Sequence, residues 1–332
     1  MKPESILARE DFLKKTKGVN ALRRQKCYLC SNDKFSILTE IDRYGFYYPT
    51  GMCKVCGNIQ QTEYYSEKTL AEFYSNYFRK IYENKNPDEL FNTQKKGNGI
   101  SIYHFVNSIL KPKNVLEVGC GAGGILSVFK DNGCKVLGLD FDEDYLNSAR
   151  KNGINVKNGS IDILEESDQY DLIILSHVLE HIANPVIFLK KLSEHLNKNG
   201  LVFIEVPSID NINLGDYKLD LLNYWQNAHV IHFTSKSLKL ICKSAGLKKV
   251  KSTISIRSCW KLSKGNNHIT KSEKAISLAY SSDLIMSIEN KRKSIKGKII
   301  LLKRFIYTTT VQIIQLLGIR GLIKSILYKF SN

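Results

Sequence analysis

The chain has 332 residues, 43% of them hydrophobic and 24% charged, with a formal net charge of +17. That balance excludes a disordered or fibrous chain and leaves room for one large domain with attachments or for two modest ones. Residues 251–332 hold 16 Lys or Arg against Glu273, Asp283 and Glu289, so +13 of the charge sits in a tail and the remainder is no uniformly basic polyanion-binding surface.

Met1 to Asn20 shows no apolar leader with a cleavage site, and eight cysteines then suggest a reducing, cytoplasmic setting. After a frayed or helical lead-in come Cys27-Tyr-Leu-Cys30 and Cys53-Lys-Val-Cys56. Two such knuckles bring four thiolates to one tetrahedral ion, and the alternating segment between them reads as a hairpin. Residues 1–62 are therefore expected to be a lead-in and a zinc ribbon. Its zinc is structural, because four thiolates leave no open coordination site, and it supplies the folding free energy of a unit with almost no core.

Residues 63–111 read as a helical connection over the ligand site. Ser66 is a candidate N-cap, and Tyr74, Tyr77, Phe78 and Tyr82 form an aromatic face whose spacing predicts packing. Gly97 to Gly99 reads as a break, followed by a helix from Ser101 to Leu110 that Pro112 stops.

Residues 112–264 alternate strand and helix: strands near 114–119, 135–140, 154–157, 170–176 and 201–206, helices near 122–132, 143–152 and 185–197. Helices of that length between strands mean a parallel sheet with right-handed crossovers, whose ligands bind beyond the carboxyl ends of the strands. The stretch VLEVGCGAGG, from Val115 to Gly124, is the organising turn. Gly119, Gly121 and Gly123 let bare backbone approach a ligand, and Asp140, ending the next strand, can accept hydrogen bonds from ribose hydroxyls. Gly119, Gly121 and Gly124 also fit a dinucleotide fingerprint, but Glu117 would repel a pyrophosphate and suits a cationic sulfonium.

That order, with YDLIILSHVLEHI and NPVIFLKKLSEHLNKNGLVFIEVP after it, resembles the class I S-adenosylmethionine-dependent methyltransferases over about residues 100–255. The resemblance implies an α/β, Rossmann-like, mostly parallel sheet. It also implies S-adenosylmethionine held by Glu117, Gly119, Gly121, Gly123, Asp140 and Ser176, with the adenine beside Asp162.

Ser176-His-Val-Leu-Glu-His181 lies just past the fourth strand. His177 and His181 share a helical face with Glu180 at its edge. His181 suits a general base, since imidazole titrates near operating pH. The resemblance offers a second reading, because ubiquinone-biosynthesis and small-RNA methyltransferases bind a divalent metal through Glu-x-x-Glu-His here, and this chain has His177 where their first Glu stands. A third reading has the Glu-His pair merely ordering the cofactor loop. Pro207 to Tyr224 reads as a polar lid-like connection. In the stretch that follows, resembling one in polysaccharide-modifying methyltransferases, His229 is a second catalytic candidate, His232 is expected to satisfy backbone groups, and Thr234 or Ser235 caps a helix.

Residues 248–262 should close the sheet as antiparallel strands, and 265–332 form a basic amphipathic helical extension. Its longest uncharged run, Phe305 to Ile319, has 15 residues, short of the ~18 to 20 a span needs. The basic flanks suit peripheral contact with an anionic membrane through residues 293–330, at its inner face, or packing against protein. A ribbon joined to such a core resembles sugar methyltransferases, so the expected reaction is methylation of a saccharide or sugar-nucleotide hydroxyl in surface-polysaccharide synthesis. Nucleic-acid methylation and a non-catalytic cofactor-binding module are the alternatives.

Overall fold

The computed structural model describes residues 3–16, 23–66, 69, 72–73, 76–82, 86–214, 216–253 and 257–316. A first helix, Pro3–Thr16, precedes five short strands: β1 (Arg23–Arg24), β2 (Phe35–Ile41), β3 (Tyr47–Cys53), β4 (Ile59–Gln61) and β5 (Glu63–Tyr64). The core follows as β6 (Asn114–Val118), β7 (Lys135–Asp140), β8 (Val156–Asn158), β9 (Tyr170–Ser176), β10 (Leu196–Glu205), β11 (Ile231–His232), β12 (Leu247–Ser252) and β13 (Arg257–Leu262).

Seven of these make one sheet in the order β12-β13-β10-β9-β6-β7-β8. Strands β8, β7, β6, β9 and β10 run parallel, and β13 and β12 close the sheet antiparallel. Both faces are covered, which is why β6 and β9 read as nearly unbroken apolar runs. Leu116, Ile173 and Val202 pack to one side, Val115, Leu172 and Phe203 to the other, as the two-residue period requires. Strand order reverses between β6 and β9, so the ligand crevice opens at the carboxyl ends of these two.

The expected break at Gly97 to Gly99 does not occur. The helix Pro87–Thr93 continues through a π-helical turn, Gln94–Gly99, into the helix Ile100–Asn107. Gly99 is needed there for close packing, since a Cβ would lie 2.8 Å from Val128 Cγ2 and 3.1 Å from the Gln94 carbonyl. The helix placed at 185–197 ends at Glu194, because β10 begins pairing with β9 at Leu196.

The connection after β10 is not a polar lid. Ser208 caps the short helix Ile209–Asn213, which puts Ile209 and Ile212 on one face, and both are buried with Tyr224 against Tyr48, Leu284 and Ile288. Leu284 and Ile288 belong to the long helix Lys271–Lys293, opened by a Thr270–Glu273 capping box. The ribbon is likewise no free-standing module: β11 adds to its sheet, giving the order β11-β4-β3-β2. Of the aromatic face, Tyr77 is buried with Phe12, Phe46 and Phe73, Phe78 and Tyr82 pack at its edge, and Tyr74 lies outside the described residues. Among the described residues no helix is long and apolar enough to cross a membrane.

Candidate active site

β6 ends in a glycine elbow with Gly119, Gly121 and Gly123 all at positive φ (70°, 54° and 77°). Gly119 also has no room for a side chain, because a Cβ would meet Val178 Cγ2 at 2.6 Å. Asp140 braces the elbow: its carboxylate accepts the Gly121 N–H at 2.8 Å and the Asp142 N–H at 2.9 Å. Gln94, from the π-helical turn, accepts the Gly124 N–H at 3.2 Å and donates to the Cys120 carbonyl at 3.4 Å. Gly124 serves this packing, since its Cβ would fall 2.2 Å from the Phe91 carbonyl. Nothing in the tyrosine-rich connection marks Gln94 in advance.

Glu117 lies beneath the elbow, 1% exposed, with Oε2 unpartnered. Burial, and secondarily the charge of Asp140, pushes its carboxyl well above the usual range. Such a group holds its proton in the folded chain and loses it in the unfolded one as pH rises past about 4.3. The stability its neutral form contributes is therefore complete below that pH and drains away up to the folded-state value. Glu117→Gln, which cannot ionise, is expected to melt progressively higher than wild type from pH 4.5 to 7, the gap reaching on the order of 1–3 kcal/mol. Thermal melts of both proteins across that range check this; a gap that stays flat would mean a well-solvated carboxylate.

Asp162 is exposed and tied to Lys191 at 2.6 Å and to Ser160 Oγ at 2.7 Å. Ser176, at the end of β9, donates to Glu205 Oε2 at 3.1 Å, and Arg257 Nε donates to Glu205 Oε1 at 2.6 Å. Glu205 and Arg257 were not singled out from sequence, although an acid ending a buried strand, as Glu117 nearly does, is a signal that could have found Glu205.

Beyond β9 a short 3₁₀ turn, Leu179–His181, carries the reactive cluster. Glu180 is 1% exposed and neither carboxylate oxygen has a hydrogen bond. His177 Nδ1 stands 3.5 Å and His181 Nε2 4.0 Å from Glu180 Oε1. His181 donates from Nδ1 to the Ala228 carbonyl at 2.8 Å, so Nε2 carries the lone pair. His229 lies edge-on to it, ring centroids 5.0 Å apart, and Phe78 of the connection approaches His181 at 6.3 Å. His229 is 6% exposed, and burial, with the neighbouring His181 and His232, holds it well below its ordinary range and so neutral.

One ligand atom each of Glu180, His181 and His229 lies within 4.8 Å of the others, a donor set suited to a divalent ion. It gathers His229 where His177 was expected. The neighbours of His229 weigh against that use. Arg43 Nη2 donates to Gln226 Oε1 at 2.7 Å, which turns the Gln226 amide nitrogen toward His229 Nε2. Nε2 then accepts and the proton sits on Nδ1, which has no hydrogen-bond partner, so ligation by His229 would require Nδ1 to give up that proton.

His232 does not serve the backbone as expected: its Nε2 meets the Tyr48 hydroxyl at 2.5 Å, and burial lowers it to about 3. The segment holding these histidines is gripped by the ribbon. Asp42, at the hairpin tip, accepts the Asn227 N–H at 3.0 Å, the Tyr82 hydroxyl at 2.9 Å and the Tyr44 and Phe46 amides at 2.8 and 3.0 Å. Asp42, Arg43 and Gln226 escaped the sequence reading because they meet across more than 180 residues. At the ribbon's other end the Cys27–Cys56 and Cys30–Cys53 sulfurs are 3.5 Å apart, and all four lie within 4.8 Å of one another. Those separations bracket the edge of about 3.8 Å expected for a tetrahedron with Zn–S near 2.3 Å.

A seven-stranded sheet reversing at β6, a glycine elbow braced by an acid and a reactive turn after β9 define the α/β methyltransferase fold. Residues 94–252 accordingly match a family model described as "Methyltransferase domain". The ubiquinone biosynthesis O-methyltransferase of Rickettsia prowazekii (strain Madrid E) is 32% identical over 133 residues, 36% of this chain and 52% of that protein. That of Nitrosospira multiformis is 30% identical over 102 residues, 28% of this chain and 43% of that one. The chain thus spans about half the length of the curated relatives it matches, and these are named for ubiquinone rather than saccharide chemistry. Among solved structures, the CcbJ methyltransferase from Streptomyces caelestis aligns with 50% of this chain and 90% of its own, at 16% identity and a TM-score of 0.41. A SAM-dependent methyltransferase from Archaeoglobus fulgidus aligns with 59% of this chain and 91% of its own, at 21% identity and a TM-score of 0.40.

Proposed function

We propose that the protein moves a methyl group from S-adenosylmethionine to a hydroxyl of a saccharide or sugar nucleotide, with His181 as the base. The observation that carries this is the lone pair that the Nδ1–Ala228 bond leaves on His181 Nε2, 4.0 Å from the buried Glu180 carboxylate, on the turn whose Val178 packs at Gly119. The sulfonium supplies a methyl carbon whose bond to sulfur breaks, with its electron pair, as the acceptor oxygen bonds to it. The protein's own work is to align the acceptor and take its proton. The proton goes to His181 Nε2, and the buried Glu180 stabilises the imidazolium so formed. Gly119, Gly121, Gly123, Asp140, Asp162 and Ser176 are the proposed cofactor contacts, joined by Gln94, while Glu117, buried beneath the elbow with its carboxyl held neutral, supports the elbow rather than offering a charge to the sulfonium. Cys27, Cys30, Cys53 and Cys56 would hold a structural zinc, which with their free thiols fits a reducing cytoplasm.

The relatives' names support an oxygen acceptor, and the ribbon-plus-core arrangement supports a saccharide. A second reading, a phenolic quinone precursor methylated with a divalent ion at Glu180, His181 and His229, draws on those names and on the clustering of the three side chains. Supplying labelled methyl donor with nucleotide sugars, surface glycans or a catechol, with and without chelator, separates the two. Chelator-insensitive labelling of a sugar is expected; labelling of the catechol alone, abolished by chelator, would replace the first reading with the second.

A further inference from the structure

The helix Ile295–Leu316 begins just after Ser294, the C-cap of the helix Lys271–Lys293. At ~100° per residue, Ile295, Ile299 and Leu302 fall within about 60° of arc. They are 80%, 47% and 59% exposed. Gly297 is buried and Ile300 and Leu301 half-buried, so the side held by the protein is the opposite one. Exposed Lys296 and Lys303 flank the apolar stripe on one edge and exposed Lys298 on the other. After Glu289 the sequence has no acid and ten Lys or Arg.

We propose that this face docks on an anionic bilayer surface, the helix lying in the plane of the headgroups with Ile295, Ile299 and Leu302 inserted and the lysines against lipid phosphates. An apolar stripe between basic edges is the pattern that interfacial binding requires, apolar burial and charge attraction acting together. A second copy is a poor occupant, because it would set lysines against lysines with no acid between them. A nucleic acid would leave the stripe uncovered. The proposal is independent of the methyl acceptor.

The test is sedimentation of the full chain with phosphatidylcholine vesicles, with and without phosphatidylglycerol, at rising salt. Binding is expected only to the anionic vesicles, weakening steeply with salt. Lys296→Glu, Lys298→Glu and Lys303→Glu together should lower the partition by roughly a hundredfold. Ile295→Ser, Ile299→Ser and Leu302→Ser together should lower it at least tenfold. Equal binding of wild type to neutral vesicles, no binding to either, or an unaltered partition of the serine variant would overturn the proposal. So would light scattering that finds a wild-type dimer which the serine variant loses. The lipid and salt dependence of the wild type decides even if a variant misfolds.

Discussion

Replacing Cys53 by serine is expected to empty the ribbon of metal and to lower turnover by about 10² to 10⁴, while affinity for S-adenosylhomocysteine moves less than about threefold. A structural zinc site contributes roughly 10–16 kcal/mol of apparent binding free energy. The cysteine end of the ribbon has little else, its core being Cys27, Cys53 and Cys56 with Leu29, Cys30 and Phe35 at the edge, while Phe46, Tyr48 and Ile59 of the other end bury against the rest of the chain. Losing the zinc reaches the reaction through named contacts. Gln61 bonds the Asn227 carbonyl at 3.1 Å and the Val230 carbonyl at 2.9 Å, and β4 pairs with β11. Without these the loop 225–232 is released, and with it His229 and the Ala228 carbonyl that orients His181. The elbow draws its braces from Asp140 and Gln94, neither of them in the ribbon. Metal content, calorimetry with S-adenosylhomocysteine and turnover, measured on one preparation, check all three expectations. A variant that lost its metal and kept its rate would show the ribbon to be a passenger.

The same contacts explain what could be read in advance. Strand and helix periods in residues 114–206 are local, and the apolar runs of β6 and β9 with the glycines between strand and helix announce a parallel sheet and its ligand end. The two Cys-x-x-Cys pairs declare themselves by spacing alone. Gly97 to Gly99 misled because glycine carries two opposite meanings, chain break and close approach, and the choice depends on Val128, which stands 29 residues further on. Ile209 and Ile212 were hidden in a polar stretch in which Leu214 and Leu222 stay exposed, so composition did not mark the buried pair. The acceptor side was the least legible. His181 and His229 could be named from their surroundings, but the tautomer of His229 depends on Gln226 and on Arg43 at the far end of the chain. No periodicity encodes such a juxtaposition.

Glu180→Gln is expected to cut kcat by about 10² to 10³ with KM nearly unchanged, and added divalent metal should not restore it. Glutamine keeps the shape of the side chain, so the fold and the acceptor's seat are preserved while the negative charge is lost. That carboxylate has His177 Nδ1 3.5 Å and His181 Nε2 4.0 Å from its Oε1, and against the effect of burial it raises the His177 imidazole above its ordinary range, so the charge is balanced by the histidines around it. In the general-base reading a further positive charge arrives as the proton His181 takes in the transition state, and Glu180 is there to meet it, so the variant loses rate and little binding. In the metal reading it is an ion resident before the acceptor binds. The variant would then bind that ion more weakly, lose acceptor affinity as well, and recover at high metal concentration. His181→Ala should match the rate loss and still bind cofactor, and combining the two changes should cost little more than either, because a base and its counter-charge act as one unit. Additive losses, or rescue by metal, would move the chemistry from the proton to an ion held by Glu180, His181 and His229.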